Sequence, residues 1–240
     1  VYLRDAVVRV PPSALRLGYT RDLVNYYSVA PSELVPGELI EEQPGESVFT
    51  ADKDEAWRRR FTTSRGNGPP RHFDAMMLAL DGRNGDFPRP EAMLVVVILA
   101  SEDDCSTERP QDLDDDSLWA KTHGYRSTRC YDPLPGLLTD PKEFIKPLLE
   151  AHPQRILVAA LASPKKPKLI PKNGLYMVEG ILNCDSSFLS APRIAQFVKE
   201  IEAHGDPRLQ SLLVRPDISS ECPFDPGRTL AKQIVAFGDL

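Results

Sequence analysis

Residues 93–100 read Met-Leu-Val-Val-Val-Ile-Leu-Ala, an apolar run with no polar position in it. Successive side chains of a strand point to opposite faces, so a half-buried strand alternates in polarity. A strand-length run without alternation needs cover on both faces, which parallel sheets packed by helices provide. A second such run, Arg155 to Leu161 (RILVAAL), follows a helix predicted over residues 141–151 (PKEFIKPLLEA). Residues 72–80 (HFDAMMLAL) set Phe73, Met76, Met77 and Leu80 on one helical face, with Gly82 as the stop and a turn at Asn84-Gly85. Ile194, Phe197, Val198 and Ile201 mark a helix from about 192 to 204. Leu230, Ile234 and Phe237 mark another, with Pro226 near its first turn. Helices alternating with fully apolar strands predict an α/β fold: a mostly parallel, doubly wound sheet flanked by helices.

The remaining segments are read as connections around that frame. Residues 1–14 read as a short helix closed by Pro11 and Pro12, and residues 15–20 (LRLGYT) as a strand. Residues 21–52 form a long excursion. Asp52 can cap a helix over residues 53–63, which ends near the loop of residues 65–70. The chain has 23 Pro against 14 Gly, so its loops should be long, rigid and numerous. No internal repeat divides the sequence and both halves share one compositional character, so residues 1–240 are expected to form a single domain with excursions at 21–52 and 105–140.

A net charge of −6 gives no electrostatic footprint for nucleic acid and argues against docking on an anionic membrane. No apolar run approaches the roughly 20 residues of a transmembrane segment. The sequence opens Val-Tyr-Leu-Arg, without Met or a signal-peptide pattern, and is read as a chain whose start has been removed or lies elsewhere.

The cysteines are Cys105, Cys130, Cys184 and Cys222, none in a C-x-x-C pair. Their spacing fits neither a zinc knuckle nor a thioredoxin-like motif. Of the three possible pairings, the sequential one (Cys105 with Cys130, Cys184 with Cys222) closes loops of about 26 and 39 residues, each stabilising by roughly 3–4 kcal/mol before strain. The alternative is four thiols in a reducing compartment. Polar, loop-like surroundings favour disulfides and an extracellular or cell-envelope location.

Chemistry, if present, concentrates at Ser101-Glu102-Asp103-Asp104-Cys105-Ser106, directly after the first apolar strand. Ligands of open α/β sheets collect beyond the carboxyl ends of strands. Carboxylates followed by hydroxyls could hold Mg2+ or Ca2+, but consecutive residues of an extended segment cannot all face one ion. The bland alternative is a carboxylate capping a backbone turn. Residues 112–116 (DLDDD) lack EF-hand spacing and read as a solvated loop. There is no G-x-S-x-G elbow, and His72, His123, His152 and His204 lie in unrelated settings, His204 before Gly205 reading as a helix C-terminus. The loop GNGPP lacks the Lys and Ser/Thr of a phosphate loop, and LASPKKPKLIPK reads as an exposed basic linker.

The stretch RPEAMLVVVILASEDDCS resembles a segment of von Willebrand factor type A-like domains in bacterial, myxobacterial-type envelope lipoproteins. LRLGYTRDLV, GNGPPRHFDAMMLAL, FIKPLLEAHPQRILVAALASP and APRIAQFVKEI with Cys222 are similar to further parts in the same order, so the resemblance covers about residues 10–237. It implies a three-layer fold and an adhesion-type role. It also implies a metal-ion-dependent adhesion site, yet the first strand and its Asp-x-Ser-x-Ser motif have no counterpart here. The positions that correspond to ligands carry Ser101 and Asn67, with Asp103 nearby. Neutral oxygens do not replace a carboxylate toward a divalent cation. The expected site is therefore degenerate, with no cofactor and no catalytic residue.

The leading expectation is a non-enzymatic interaction module of a secreted or envelope protein, offering rim loops to a protein or surface partner. The runner-up is a metal-dependent hydrolase using Glu102, Asp103 and Asp104. A third reading is a domain completed by a missing N-terminal segment, since a parallel sheet lacking its central strand exposes backbone donors and acceptors.

Overall fold

The computed structural model describes residues 17–18, 48–49, 70–85, 87–99, 103–119, 129–131, 133–162, 169–172, 175–178 and 191–214. In chain order the elements are β1 (Leu17–Gly18), β2 (Val48–Phe49), α1 (His72–Ala79), β3 (Leu94–Leu99), α2 (Pro110–Asp114) and α3 (Asp116–Trp119). A 3-10 turn (Pro141–Phe144) then runs into α4 (Ile145–Ala151), followed by β4 (Ile156–Leu161), β5 (Leu169–Lys172), β6 (Leu175–Val178), α5 (Pro192–His204) and β7 (Leu209–Val214). The expected helices over 1–14, 53–63 and around 230–237 lie outside the described residues.

Three strands form a parallel sheet in the order β3-β4-β7. Their register aligns Leu94, Val96 and Ile98 with Ile156, Val158 and Ala160, and these with Leu209, Ser211 and Leu213. That face packs on Phe73, Met76 and Leu80 of α1, Ile145 and Leu148 of α4, and Ile194, Phe197, Val198 and Ile201 of α5. Phe73 sits at its centre, with ring centroids 5.1 Å from Phe144 and 4.7 Å from Phe197, inside the range where tilted aromatic pairs attract. The α/β class and the parallel sheet thus follow the sequence expectation, and so do α1, α4, β4 and α5. Gly205 closes α5 in the left-handed conformation at φ 76°, just after His204.

Three expectations need correction. Among the described strands the middle position belongs to β4, every residue of which is buried, and β3 flanks it. Val95 is 42% exposed and Met93 44%, so residues 93–100 are less completely covered than their composition suggested. The described helices that enter this core pack on one face of the sheet, and Leu157, Ala159 and Leu161, on the opposite face of β4, are buried as well. Residues 112–114 belong to α2 and residue 116 to α3, with Asp115 between the two helices; Pro110 opens the first of them at a position where its missing N–H is not needed. The basic stretch ends in a strand, β5, paired antiparallel with β6.

β7 was not foreseen. Its sequence, LQSLLV, breaks both the alternating and the continuous apolar pattern. The short pair β1 and β2 is antiparallel and falls within the strand expected at 15–20 and the excursion after it.

Candidate functional site

Both long core helices begin without a local cap. The residue before α1 is Arg71 and the residue before α5 is Ala191, and neither side chain accepts a bond from the helix. The first N–H groups of a helix have no intrahelical acceptor, and one left buried and unsatisfied costs roughly 1–3 kcal/mol. Both helices are instead capped by residues 103–106, the segment that follows β3.

Asp103 serves α5. Its Oδ1 accepts the Arg193 N–H at 3.0 Å and the Ile194 N–H at 3.4 Å, and its Oδ2 lies 3.2 Å from the Arg193 nitrogen. Pro192, the first residue of α5, has no N–H to satisfy. Asp104 serves α1: its Oδ1 accepts the Phe73 N–H at 3.1 Å, while the Asp74 N–H donates to Ser106 Oγ at 3.0 Å. These are the bonds of an ordinary N-cap, supplied from a distant part of the chain.

The segment is tied down in return. Cys105 N–H donates to the Pro70 carbonyl, and Thr107 N–H donates to Asp74 Oδ2 at 3.1 Å. The Arg71 guanidinium donates to the Thr107 carbonyl and pairs with Asp74 at 2.6 Å. Arg193 donates from Nε to the Asp104 carbonyl at 2.9 Å and from Nη2 to the Thr139 carbonyl at 2.6 Å. The Asp103 N–H donates to the Tyr131 hydroxyl at 3.1 Å.

Tyr131 is brought there by the Cys105–Cys130 disulfide, whose Cα atoms are 5.0 Å apart. Cys105, Leu113, Cys130 and Leu137 form a small second core, with Leu134 and Leu138 against it. Buried Arg129 donates to the Leu113 carbonyl in the same region. One of the two sequential pairings is therefore present; Cys184 and Cys222 lie outside the described residues.

Asp103 and Asp104 are both 0% exposed. Burial pushes the Asp103 carboxyl up to about 7, and the neighbouring Asp104 charge adds to this; the Arg193 and Asp104 N–H groups and the Arg193 charge pull the other way. Burial also raises Asp74, with Arg71 opposing.

Ser101, Glu102 and Asn67 lie outside the described residues, so of the residues named for a metal only Asp103 and Asp104 are placed, and their oxygens face helix N-termini. Among the described residues no three His, Cys, Asp or Glu side chains are grouped to share a metal ion. The described histidines are apart: His72 opens α1, His152 follows α4 with Nε2 2.8 Å from the Ala92 carbonyl, and His204 ends α5. His123 lies outside the described residues. Asp112 of the second acidic cluster pairs with Arg109, and the Asp115 carboxylate accepts from the Ser117 N–H and hydroxyl.

Sequence reasoning missed Arg71, Arg193 and Tyr131. The available signal was negative: two strong helix patterns preceded by Arg and Ala, which cannot cap, imply caps from elsewhere. No helix among the described residues is long and apolar enough to cross a membrane. Comparisons of the chain with protein-family models, with curated proteins and with solved structures return no match.

Proposed function

We propose that the chain is a non-catalytic interaction module of a secreted or cell-envelope protein, built on a von Willebrand factor type A-like, three-layer α/β scaffold. The observation that carries this reading is the engagement of Asp103 and Asp104 with helix backbone N–H groups. Polar residues beyond a parallel strand are where an α/β enzyme keeps its reactive groups. Here that position is given over to holding the scaffold together.

The disulfide supports an oxidising compartment, since glutathione and thioredoxin keep cytosolic thiols reduced. It also closes a loop over residues 105–130, and Leu118, 45% exposed within that loop, is an apolar contact offered to a protein or surface partner. The resemblance of residues 89–106 to adhesion-type domains supports the same role, with a cation site that has lost its charged ligands.

Thermal melting of the oxidised chain in EDTA, and again with millimolar Mg2+ or Ca2+, separates this reading from a metal-dependent hydrolase using Glu102, Asp103 and Asp104. A site metal stabilises by mass action, so the module should melt at one temperature in all three conditions. A cation-dependent rise that disappears in Asp103→Asn would overturn it. Interaction is read by Leu118→Asp, which should leave the melting temperature unchanged and weaken retention on cell-envelope preparations.

A further inference from the structure

The helix α1 is held at both ends by side chains from outside it. Asp104 and Ser106 accept its first N–H groups, and at the other end Asn84 Nδ2 donates to the Ala79 carbonyl at 2.9 Å. Ala79 is buried, and the last carbonyls of a helix have no donor within it, so this bond satisfies a group that water reaches poorly. Gly85 follows, in a turn closed by the Phe87 N–H on the Asn84 carbonyl at 3.2 Å. Gly85 is exposed, its φ is 65°, and a Cβ placed on it would meet no atom within 4 Å. Among the described residues nothing accepts its N–H.

We propose that Asn84-Gly85 is a self-modifying site: the Gly85 nitrogen displaces the Asn84 side-chain amide, and α1 thereby loses the tie at its C-terminal end. The backbone nitrogen after an asparagine can close a five-membered ring on Cγ, and glycine has no Cβ to crowd that approach. Hydroxide removes the Gly85 amide proton, the nitrogen attacks Cγ, and the Cγ–Nδ2 bond breaks, ammonia taking its proton from water. Water then opens the succinimide at either carbonyl. Opening at Cγ gives aspartate; opening at the backbone carbonyl gives isoaspartate, whose main chain runs through Cβ and Cγ. One water enters and one ammonia leaves, with no oxidant or reductant.

Nδ2 is engaged by Ala79 while the last turn of α1 is wound, so the reaction draws on the moments when that turn opens. Helix ends open at little cost, so conversion in the folded chain should trail that in the unfolded chain by less than about tenfold. Either product replaces a donor with an anion at the carbonyl end of α1, where the helix dipole is already negative. Arg83, the adjacent cation, is paired with Asp81 at 2.5 Å. Asn-Gly also occurs at 67–68 and 173–174, outside the described residues; at 84 the amide that is lost has a structural task.

The test incubates the oxidised full chain at pH 8, folded or unfolded in urea, and digests it at acid pH, which stops the reaction. Mass spectrometry reads the fraction of residue 84 converted. The folded chain should convert, while Asn84→Gln, which would need a six-membered ring, stays intact. Asn84→Asp, which carries the charge of the product, should melt about 2–4 °C below wild type and lose amide protection in the last turn of α1. Aged wild type, rich in the product, should show the same loss of protection. A folded chain that keeps Asn84 intact, or converts it more than about tenfold more slowly than the unfolded chain, overturns the site. Melting and last-turn protection unchanged in both Asn84→Asp and the aged chain overturn its effect on α1.

Discussion

The Asp103 carboxylate and the Arg193 backbone N–H, 90 residues apart in sequence, meet at 3.0 Å to form the N-cap of α5. An adjacent carboxylate does the same for α1. Two of the helices that cover one face of the sheet are thereby fixed to the segment that follows β3.

Removing the first of these caps should be measurable. Asp103→Ala, assayed at pH 5.5 to hold protonation effects aside, should lower the unfolding free energy by about 1–2 kcal/mol, the usual range for a lost N-cap. Denaturant titration followed by circular dichroism reads this. A change near zero would mean that water or another group satisfies the Arg193 and Ile194 N–H groups equally well.

The disulfide is expected to carry more. Replacing both Cys105 and Cys130 with Ser releases the loop between them and should destabilise the chain by about 3 kcal/mol. Peptide mapping without reduction should recover the Cys105–Cys130 linkage in the wild type, and a different partner for Cys105 would contradict the structure.

Phe197 tests the core. It is fully buried against Phe73, and Phe197→Ala leaves a cavity among α1, α5 and the sheet. The loss should be about 3–5 kcal/mol, enough to unfold a marginal domain, with Phe197→Leu much milder.

The relative positions of β3 and β4 yield a paired comparison. Ala159 is fully buried in the middle strand, while Val95 is partly exposed in its neighbour. Ala159→Thr should cost about 1–3 kcal/mol through overpacking and a buried hydroxyl. Val95→Thr should stay within about 0.5 kcal/mol, as exposed substitutions do. Equal costs would mean that residues 93–100 are buried as deeply as residues 156–161.

Much of the frame was legible because it is written locally. The period of Ile194, Phe197, Val198 and Ile201 specifies the buried stripe of α5, and Gly205 specifies its end, where only a residue without Cβ adopts a positive φ freely. The unbroken run in β4 specifies a doubly covered strand. The same rule overstated β3, since composition records what a strand tolerates and not how many neighbours it has. β7 escaped because Gln210 and Ser211 interrupt its apolar run. The acidic motif was located correctly, while its partners were invisible: nothing in a window around Asp103 points to Arg193 or Tyr131. Hydrogen bonds that close over such distances are set by topology, which no local pattern encodes.

Capping from afar also bears on how the chain is made. Synthesis runs from the N-terminus, so both aspartates emerge long before the segment that becomes α5. Until then Asp103 is a hydrated anion with no helix to hold, whereas the helix that Asp104 caps, α1, has already been made. The first turn of α5 can therefore set only after the strands have come into register, which makes its ordering a late report on whether the whole sheet has assembled.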